Sequence, residues 1–357
     1  MNELDKLYKR WLEIQPLSSE DEKRLNRKFM LDFNYNSNHI EGNTLTYGQT
    51  EVLLLLGEVI GNAKMKDLEE MKAHNICLNM IEQEAKTDNP LTENFIRQVH
   101  KVMLREDYEV YRQLPGGETT SYTVHAGRYK TRPNSVITPT GERFEYASPE
   151  ETPALMTDLV SWYNKAVEEG KLSPIELAAL FHYRYMRIHP FEDGNGRIAR
   201  LMVNFILKRH KWPMMVIRSK NKQAYLRALG QADATVGPIP SDGAHAPLSS
   251  IKPFVDYMVN ALTADIASML EFVRADREKT WWFEGEIISF STDTPTRILR
   301  LLQIEPNASL TTISKTLGIS RSAIQKQVDR LEKNGYIIRP QGQKRGWIIN
   351  IRNFNND

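Results

Sequence analysis

A single cysteine, Cys77, stands in 357 residues, so no disulfide can form within the chain and no cysteine-based zinc site can be built. That scarcity fits a reducing cytoplasm. Long apolar runs are also missing. The opening stretch MNELDKLYKRWLEIQP is charged and amphipathic, without the apolar run of a signal peptide, and the apolar stretch from Val52 to Leu56 is far too short to span a membrane. A cytoplasmic protein without a membrane partner is expected. No repeat and no low-complexity tract interrupts the chain. Net charge is only +2, but it is uneven: residues 297 to 352 hold eleven Lys/Arg against three Asp/Glu, which makes this tail +8 and the remainder −6. Such asymmetry points to a separate basic module. What is present is ordinary for a globular protein, with 41% apolar and 26% charged residues, and the length suggests two or three domains.

Most of the chain reads as helix. Residues 1 to 88 carry helical periodicity, for example at Leu53, Leu56, Val59 and Ile60. After the turn Asp88-Asn89-Pro90, the run Leu91-Thr92-Glu93 opens another helix, with Phe95, Val99, Val102 and Met103 at helical spacing. Residues 113 to 147 differ: Gly116-Gly117, Pro133 and Pro139-Thr140-Gly141 punctuate short extended runs that include Ser135-Val136-Ile137 and Arg143-Phe144-Glu145-Tyr146, which predicts a β-hairpin. Ser173-Pro174-Ile175-Glu176 is a helix start with Ser at the cap. The helix from Pro174 to Ile188 is apolar nearly all round and is expected to be buried. Residues 235 to 250 form a loop rich in Gly, Pro and Ser; helix follows to about Glu278, and Ser289 to Pro295 reads as a linker.

The informative segment is His189-Pro190-Phe191-Glu192-Asp193-Gly194-Asn195-Gly196-Arg197-Ile198-Ala199-Arg200, between two helices, the second running from about Asn195 to Arg209. Gly194 and Gly196 permit backbone angles closed to other residues. A Gly-Asn-Gly turn that opens a helix aims several N–H groups outward, which makes an anion-binding nest at a positive helix end. Arg197 and Arg200 stand three apart and share a helix face. Asp193 supplies a hard oxygen suited to Mg²⁺ beside phosphates. His189 is the nearby group able to accept a proton near neutral pH. Together these predict a site for phosphoryl chemistry. A tight helix–helix turn with solvated arginines is the plain alternative.

At every specified position the segment resembles the signature of the Fic family, His-Pro-Phe-x-Asp/Glu-Gly-Asn-Gly-Arg-x-x-Arg. The resemblance covers about residues 90 to 215. It implies a mainly α fold, a helical bundle with a β-hairpin flap, and transfer of AMP from ATP to a protein hydroxyl. It also implies roles. His189 would be the general base, Phe191 the anchor of the loop, and Asp193 the Mg²⁺ ligand at the α- and β-phosphates. Gly194, Asn195 and Gly196 would cradle those phosphates, Arg197 would contact them, and Arg200 would meet the γ-phosphate. A family branch that transfers the γ-phosphate instead carries Lys where this chain has Gly196, so Gly196 favours AMP transfer. Ser135, Val136 and Ile137 would dock a target segment by strand addition. Tyr225 could pack near the adenine, although most such tyrosines are core residues.

Upstream, Ser37-Asn38-His39-Ile40-Glu41-Gly42-Asn43 resembles the inhibitory motif of one Fic class, Ser/Thr-x-x-x-Glu-Gly/Asn. In that class the glutamate pairs with the second arginine of the signature, here Arg200, and takes the space of the γ-phosphate. Ser37 and Gly42 would serve as cap and stop, and His39 as a packing residue.

In the basic tail, Ser309 to Ser320 reads as a helix, a Gly turn and a new cap. The next helix is expected from Arg321 to Asn334, with Ile324, Val328 and Leu331 on one face. The strands Tyr336-Ile337-Ile338 and Trp347-Ile348-Ile349 flank Gln341-Gly342-Gln343-Lys344-Arg345-Gly346. This resembles a winged helix-turn-helix with Lys344 and Arg345 at the wing tip. Arg321, Ser322, Gln325 and Lys326 would lie exposed for DNA readout, or the module would contact protein. The expected organisation is an N-terminal helical region at 1–90, a catalytic core at 91–215, a helical extension at 216–290 and the winged helix at 294–352. Two other functions fit the same residues: a DNA-binding regulator that senses nucleotide, and removal of AMP from targets with Glu41 orienting a water. Self-modification is expected alongside target modification; the target, its modified residue and the oligomeric state are not written in the sequence.

Overall fold

Side-chain caps set where α-helices begin at Thr46, Thr92, Ser173, Ser309 and Ser320. The computed structural model describes residues 2–113, 119–137, 143–274, 278–283, 286–339 and 346–349. The helices α1 (Glu3–Glu13), α2 (Ser19–Ile40), α3 (Tyr47–Leu56), α4 (Met65–Glu84) and α5 (Glu93–Leu104) come first. Two antiparallel hairpins follow, β1 (Tyr108–Gln113) with β2 (Thr119–Val124) and β3 (Ser135–Ile137) with β4 (Arg143–Glu145). Then come α6 (Thr152–Glu169), α7 (Pro174–Ile188), α8 (Asn195–Arg209), α9 (Lys222–Val236), α10 (Pro240–Ala244) and α11 (Lys252–Arg274). A third hairpin, β5 (Thr280–Phe283) with β6 (Glu286–Ser289), precedes α12 (Thr294–Ile304), α13 (Leu310–Leu317), α14 (Arg321–Lys333) and the short pair β7 (Ile337–Ile338) and β8 (Ile348–Ile349).

The chain forms two compact units: residues 1–13, 33–45 and 63–266 make the first, and residues 14–32, 46–62 and 267–357 the second. In the first unit α7 and α8 pack against each other at the centre. Ser173 caps α7 in a reciprocal capping box with Glu176, and Pro174 opens the helix. Twelve of the fifteen α7 side chains are buried, as the all-round apolar pattern predicts. In α8 every side chain from Arg197 to Leu207 is buried. Thr92 caps α5, whose buried stripe is Ile96, Val99, His100 and Met103. In the second unit Ser309 caps α13, Gly318 ends it in a left-handed turn, and Ser320 caps α14. Ile324, Val328 and Leu331 face the core with Ile298, Leu302, Ile313 and Trp347. No described helix is long and apolar enough to cross a membrane.

Several expectations need correction. Val59 and Ile60 do not extend α3, because Gly57 ends it at φ 73°, and Val59 is 52% exposed. The loop at 235–250 carries α10, which Pro240 starts; five residues are too few for a hydrophobic period to register. Besides the expected hairpin β3–β4 there is a longer one, β1–β2, and a third, β5–β6, between the helix read to about Glu278 and the linker read from Ser289, within the expected helical extension. The helix expected to reach Asn334 ends at Lys333, with Asn334 as its cap. Gln325 is half-buried and donates to Asp329, while Arg321, Ser322 and Lys326 are exposed. Lys344 and Arg345, expected at the wing tip, lie outside the described residues.

Removing the α7 cap tests how far local capping supports the central helix. Ser173→Ala should cost about 1 kcal/mol, read as a lower denaturation midpoint with unchanged helix content.

Candidate active site

The loop between α7 and α8 is held in place by one aromatic plug. Phe191 is fully buried, a burial that stabilises by about 2 kcal/mol. Its ring stacks on His100 with centroids 3.7 Å apart. His100 in turn donates from Nε2 to the Asp193 carbonyl at 3.0 Å and accepts at Nδ1 from the Gly127 N–H at 2.9 Å. Burial pushes its pKa down to about 4, so it is a neutral strut that ties α5 to the loop.

His189 ends α7 in a left-handed conformation, φ 51° and ψ 60°, rare for a residue with a Cβ and typical of functional turns. Its backbone N–H donates to the Tyr185 carbonyl at 2.8 Å. The imidazole stacks on Tyr146 with centroids 4.0 Å apart. Its Nδ1 faces the side-chain amides of Asn134 at 2.8 Å and Asn195 at 3.1 Å. Burial first, and the Lys130 charge second, push its pKa down to about 3, so the ring is uncharged at neutral pH. Lys130 is 3% exposed, yet its ammonium meets three acceptors: Asn134 Oδ1 at 2.8 Å and the carbonyls of Ile188 and His189 at 3.0 Å each. A cation at the C-terminal end of α7 is well placed against the helix dipole. Burial nonetheless lowers its pKa to about 8.

On the other side of the loop lies an anion-binding end. Gly194 adopts φ 80°, closed to most residues, and α8 starts without a side-chain cap. Its first-turn N–H groups are therefore left for a ligand. Arg197 is 4% exposed, and its Nε meets no hydrogen-bond partner among the described residues. One guanidinium nitrogen lies 3.5 Å from Asp193 and another 3.9 Å from Glu70. The Asp193 carboxylate is half-exposed; it accepts from the Tyr108 hydroxyl at 2.7 Å and from the Gly194 N–H at 2.6 Å. Burial pulls its pKa up, but Arg197 and these two donors outweigh burial and hold it low, so it stays ionised.

Arg200 does not share partners with Arg197. It is 2% exposed and binds the upstream motif: Nε donates to Ser37 Oγ at 3.0 Å, and the terminal nitrogen donates to the Ser37 carbonyl at 2.8 Å and to Glu41 Oε1 at 2.7 Å. Ser37 is thus no cap. It lies within the last turn of α2, where a hydroxyl can serve a guanidinium. Behind it the bonds continue: Ser37 Oγ lies 3.0 Å from His74 Nε2, and His74 Nδ1 lies 2.6 Å from Asn34 Oδ1. Glu41 follows the end of α2, and Gly42 turns the chain at φ 96°. His39 stacks on Tyr35 as a packing residue. Gly196 sits in regular helix, so its backbone needs no special angle. Its need is space, because a Cβ there would collide with Glu41 Oε1.

Of the remaining sequence-selected residues, Ser135 to Ile137 form β3, which pairs with β4 among the described residues. Tyr225 is 2% exposed, shares a hydrogen bond of 2.9 Å with His182 and packs beside Phe254 and Tyr257. Sequence reasoning missed Lys130, Asn134, His100, Tyr108, Tyr146 and His74. None belongs to a recognisable functional motif, and only the fold brings them to the loop.

Comparison with known proteins matches this geometry to a family. Residues 90–207 fit the Fic/DOC family model, and residues 292–338 fit a winged helix-turn-helix DNA-binding model. A solved Fic-domain-containing signaling protein from Bacteroides thetaiotaomicron is 54% identical, with a TM-score of 0.71, over 76% of this chain and 97% of that one. The chain belongs to the Fic/DOC family. Among curated proteins, protein adenylyltransferase fic-1 of Caenorhabditis elegans is 29% identical over 247 residues, which is 68% of this chain. Protein adenylyltransferase Fic of Nematostella vectensis is 30% identical over 221 residues, which is 61% of this chain. This Fic chain spans 42% and 47% of the lengths of those two relatives. The solved structure of C. elegans Fic-1, residues 134–508, matches with a TM-score of 0.58 at 26% identity, over 75% of this chain and 71% of that one.

The Fic core buries its histidines uncharged, which has a consequence for stability. His74, His100 and His182 are fully buried, and burial lowers all three pKa values, His100 to about 4 and His182 to about 3. An unfolded histidine titrates near 6.5, so below that pH the unfolded chain binds protons that the folded chain refuses. Stability is unaffected above pH 6.5 and falls as pH drops below it, by about 2 kcal/mol each for His100 and His182 at pH 5. Denaturation midpoints measured from pH 7.5 to 5 should fall steadily, and replacing His182 by Gln should flatten that slope.

Proposed function

We propose that the chain transfers AMP from ATP to a hydroxyl of a protein, itself included, and that Glu41 restrains the transfer. The observation that carries this reading is the loop after α7: an uncharged imidazole, an ionised half-exposed carboxylate, an uncapped helix start and a buried arginine Nε without a partner among the described residues meet within a few residues. Such a site takes an acceptor-rich ligand and a proton donor together, which describes nucleotide phosphates and a hydroxyl. The target oxygen bonds to the α-phosphorus, the bond from that phosphorus to the bridging oxygen breaks, and pyrophosphate leaves with the electron pair. The hydroxyl proton goes to His189. Arg197 and the α8 N–H groups stabilise the charge on the phosphates, and Arg200, once free, meets the γ-phosphate. Gly196 supports AMP over γ-phosphate transfer, since the kinase-like branch of the family carries Lys there. Naming of relatives as protein adenylyltransferases supports the same reaction.

The residues also fit Mg²⁺. Among the described residues no cluster of three ligating side chains exists, but Mg²⁺ is commonly held by one or two carboxylates together with substrate phosphates. Asp193 would hold the ion, which would neutralise phosphate charge. Ser135, Val136 and Ile137 in β3 would dock a target segment by strand addition. Tyr225, buried beside Arg200, would back the nucleotide pocket.

A second reading, removal of AMP from modified protein, is favoured by one feature. The two amides at His189 Nδ1 leave the ring proton on Nε2, a form that donates to an oxygen. Glu41, with its carboxylate half-exposed beside Arg200, would orient the attacking water.

Label from α-labelled ATP should appear on protein, and label from γ-labelled ATP should not. His189→Ala should fold and bind ATP, yet lose roughly 10²-fold or more of the transfer. Wild type should label poorly. Glu41→Gly should label about 100-fold better, since a lock favoured by about 3 kcal/mol leaves roughly 1% of molecules competent. Gly196→Ala keeps the backbone N–H but takes the seat of Glu41 Oε1, so it should move labelling toward the Glu41→Gly level. Equal labelling by wild type and Glu41→Gly would mean that Glu41 is no restraint.

For the second unit we propose DNA binding through α14, where Arg321, Ser322, Lys326 and Arg330 are exposed. The full chain should bind duplex DNA weakly, with affinity falling steeply as salt rises. Failure to bind at low salt would leave the winged helix a protein-contact module.

A further inference from the structure

We propose that Asn134, at the foot of the β3–β4 hairpin, is the positioning residue that decides which nitrogen of His189 carries the proton, and thereby favours AMP removal over AMP transfer in the resting protein. This rests on His189 being the reacting group.

The orientation of the Asn134 amide is not free. Its Oδ1 accepts from the Lys130 ammonium at 2.8 Å, and its Nδ2 donates to the Phe191 carbonyl at 3.0 Å. An ammonium can only donate and a carbonyl can only accept, so turning the amide over would oppose donor to donor and acceptor to acceptor. Asn195 is pinned in the same way, its Oδ1 accepting from the Phe191 N–H at 3.0 Å and its Nδ2 donating to the Phe191 carbonyl at 2.7 Å. Both NH₂ groups therefore face His189 Nδ1 as donors, Asn134 at the shorter distance, 2.8 Å against 3.1 Å. Two N–H groups aimed at one ring nitrogen require a lone pair there. The uncharged ring then bears its proton on Nε2, because the bond made by one ring nitrogen sets the state of the other. Rotating the ring by half a turn would present a carbon to both amides and lose both bonds, and the Tyr146 stack fixes the ring plane.

The consequence is chemical. A group that takes a hydroxyl proton at Nε2 needs a lone pair at that nitrogen. The resting ring offers an N–H instead, which can protonate an oxygen leaving from phosphorus as water attacks. In that direction the water oxygen bonds to phosphorus as its proton passes to the Glu41 carboxylate, the bond from the α-phosphorus to the protein oxygen breaks with its electron pair going to that oxygen, the oxygen takes the Nε2 proton, and the proton held by Glu41 then returns to the ring. Forward transfer needs the proton on Nδ1, which the Asn134 amide opposes and an acceptor at the same position would favour. Asn134→Asp supplies that acceptor: one oxygen can keep the Lys130 bond while the other accepts from Nδ1–H.

Nitrogen NMR of the full chain labelled with ¹⁵N-histidine, with the His189 signals assigned by their loss in His189→Ala, reads the tautomer without any turnover. The wild type should show Nδ1 unprotonated and Nε2 protonated, and Asn134→Asp should show the reverse. In the Glu41→Gly background, Asn134→Asp should raise transfer of α-label roughly 10-fold, a modest part of the about 10⁴-fold cost of a wrong tautomer in a serine protease triad. In the Glu41 wild-type background it should lower AMP removal from a pre-labelled protein by a similar factor. A wild-type spectrum with Nδ1 protonated overturns the proposal on its own, whether or not the variants fold. So does an unchanged tautomer in a folded Asn134→Asp. The expected spectra with neither transfer nor removal in any variant would overturn the functional reading instead, and leave the role of Asn134 in setting the proton intact.

Discussion

Arg200 holds a permanent charge at 2% exposure, and taking such a charge out of water costs several kcal/mol unless its donors are met. They are met by Ser37 and Glu41, more than 150 residues upstream. That need ties the end of α2 to α8 and gives the upstream motif its place. The hydroxyl of Ser37 can accept from the guanidinium only while its own proton is engaged elsewhere, and His74 Nε2 lies 3.0 Å away to take it. His74 must therefore stay uncharged, and burial together with the Arg197 and Arg200 charges lowers its pKa well below the ordinary histidine range. One buried charge thus fixes the protonation of a histidine two residues removed along the hydrogen-bond chain.

The same balance of burial and positive charge runs through the loop. Lys130, Arg197 and Arg200 are all nearly buried, and the imidazoles among them are neutral. A cluster of cations without carboxylates would repel itself, so the counter-charges are few and placed: Asp193 beside Arg197 and Glu41 beside Arg200. Both carboxylates are partly exposed while their arginines are not. An incoming polyphosphate can replace a partly solvated carboxylate at less cost than it could reach a fully enclosed one. The arrangement suits a site whose anions are exchangeable and whose cations are permanent.

Rigidity of the loop comes from contacts that are individually modest. The Phe191 stack on His100, the Lys130 bonds to the Ile188 and His189 carbonyls and the paired amides of Asn134 and Asn195 on the Phe191 carbonyl hold the loop at different points. The left-handed backbone at His189 stores strain that these contacts keep in place. Half of them come from the segment between β2 and β3, so the hairpin region belongs to the site as much as the signature does.

What could be read from the sequence was local. The caps at Thr92, Ser173, Ser309 and Ser320 act within one turn of a helix, and the signature from His189 to Arg200 is contiguous, so residue type and spacing carry them directly. The α7 and α8 boundaries follow from the same short-range rules, and the resemblance at the nine specified positions of the segment supplied the family. Tertiary structure decided the rest. Arg197 and Arg200 share a helix face on paper, but only the approach of α2 and α4 separates their partners. Gly196 reads as a conformational glycine, yet the structure needs it for the room that Glu41 takes. Ser37 reads as a cap and is a guanidinium ligand. Lys130 and Asn134 have no period to mark them, and His100 and His74 read only as members of the buried faces of α5 and α4; a contact across dozens of residues leaves no trace in local spacing, and their roles exist only once packing has set them against the loop.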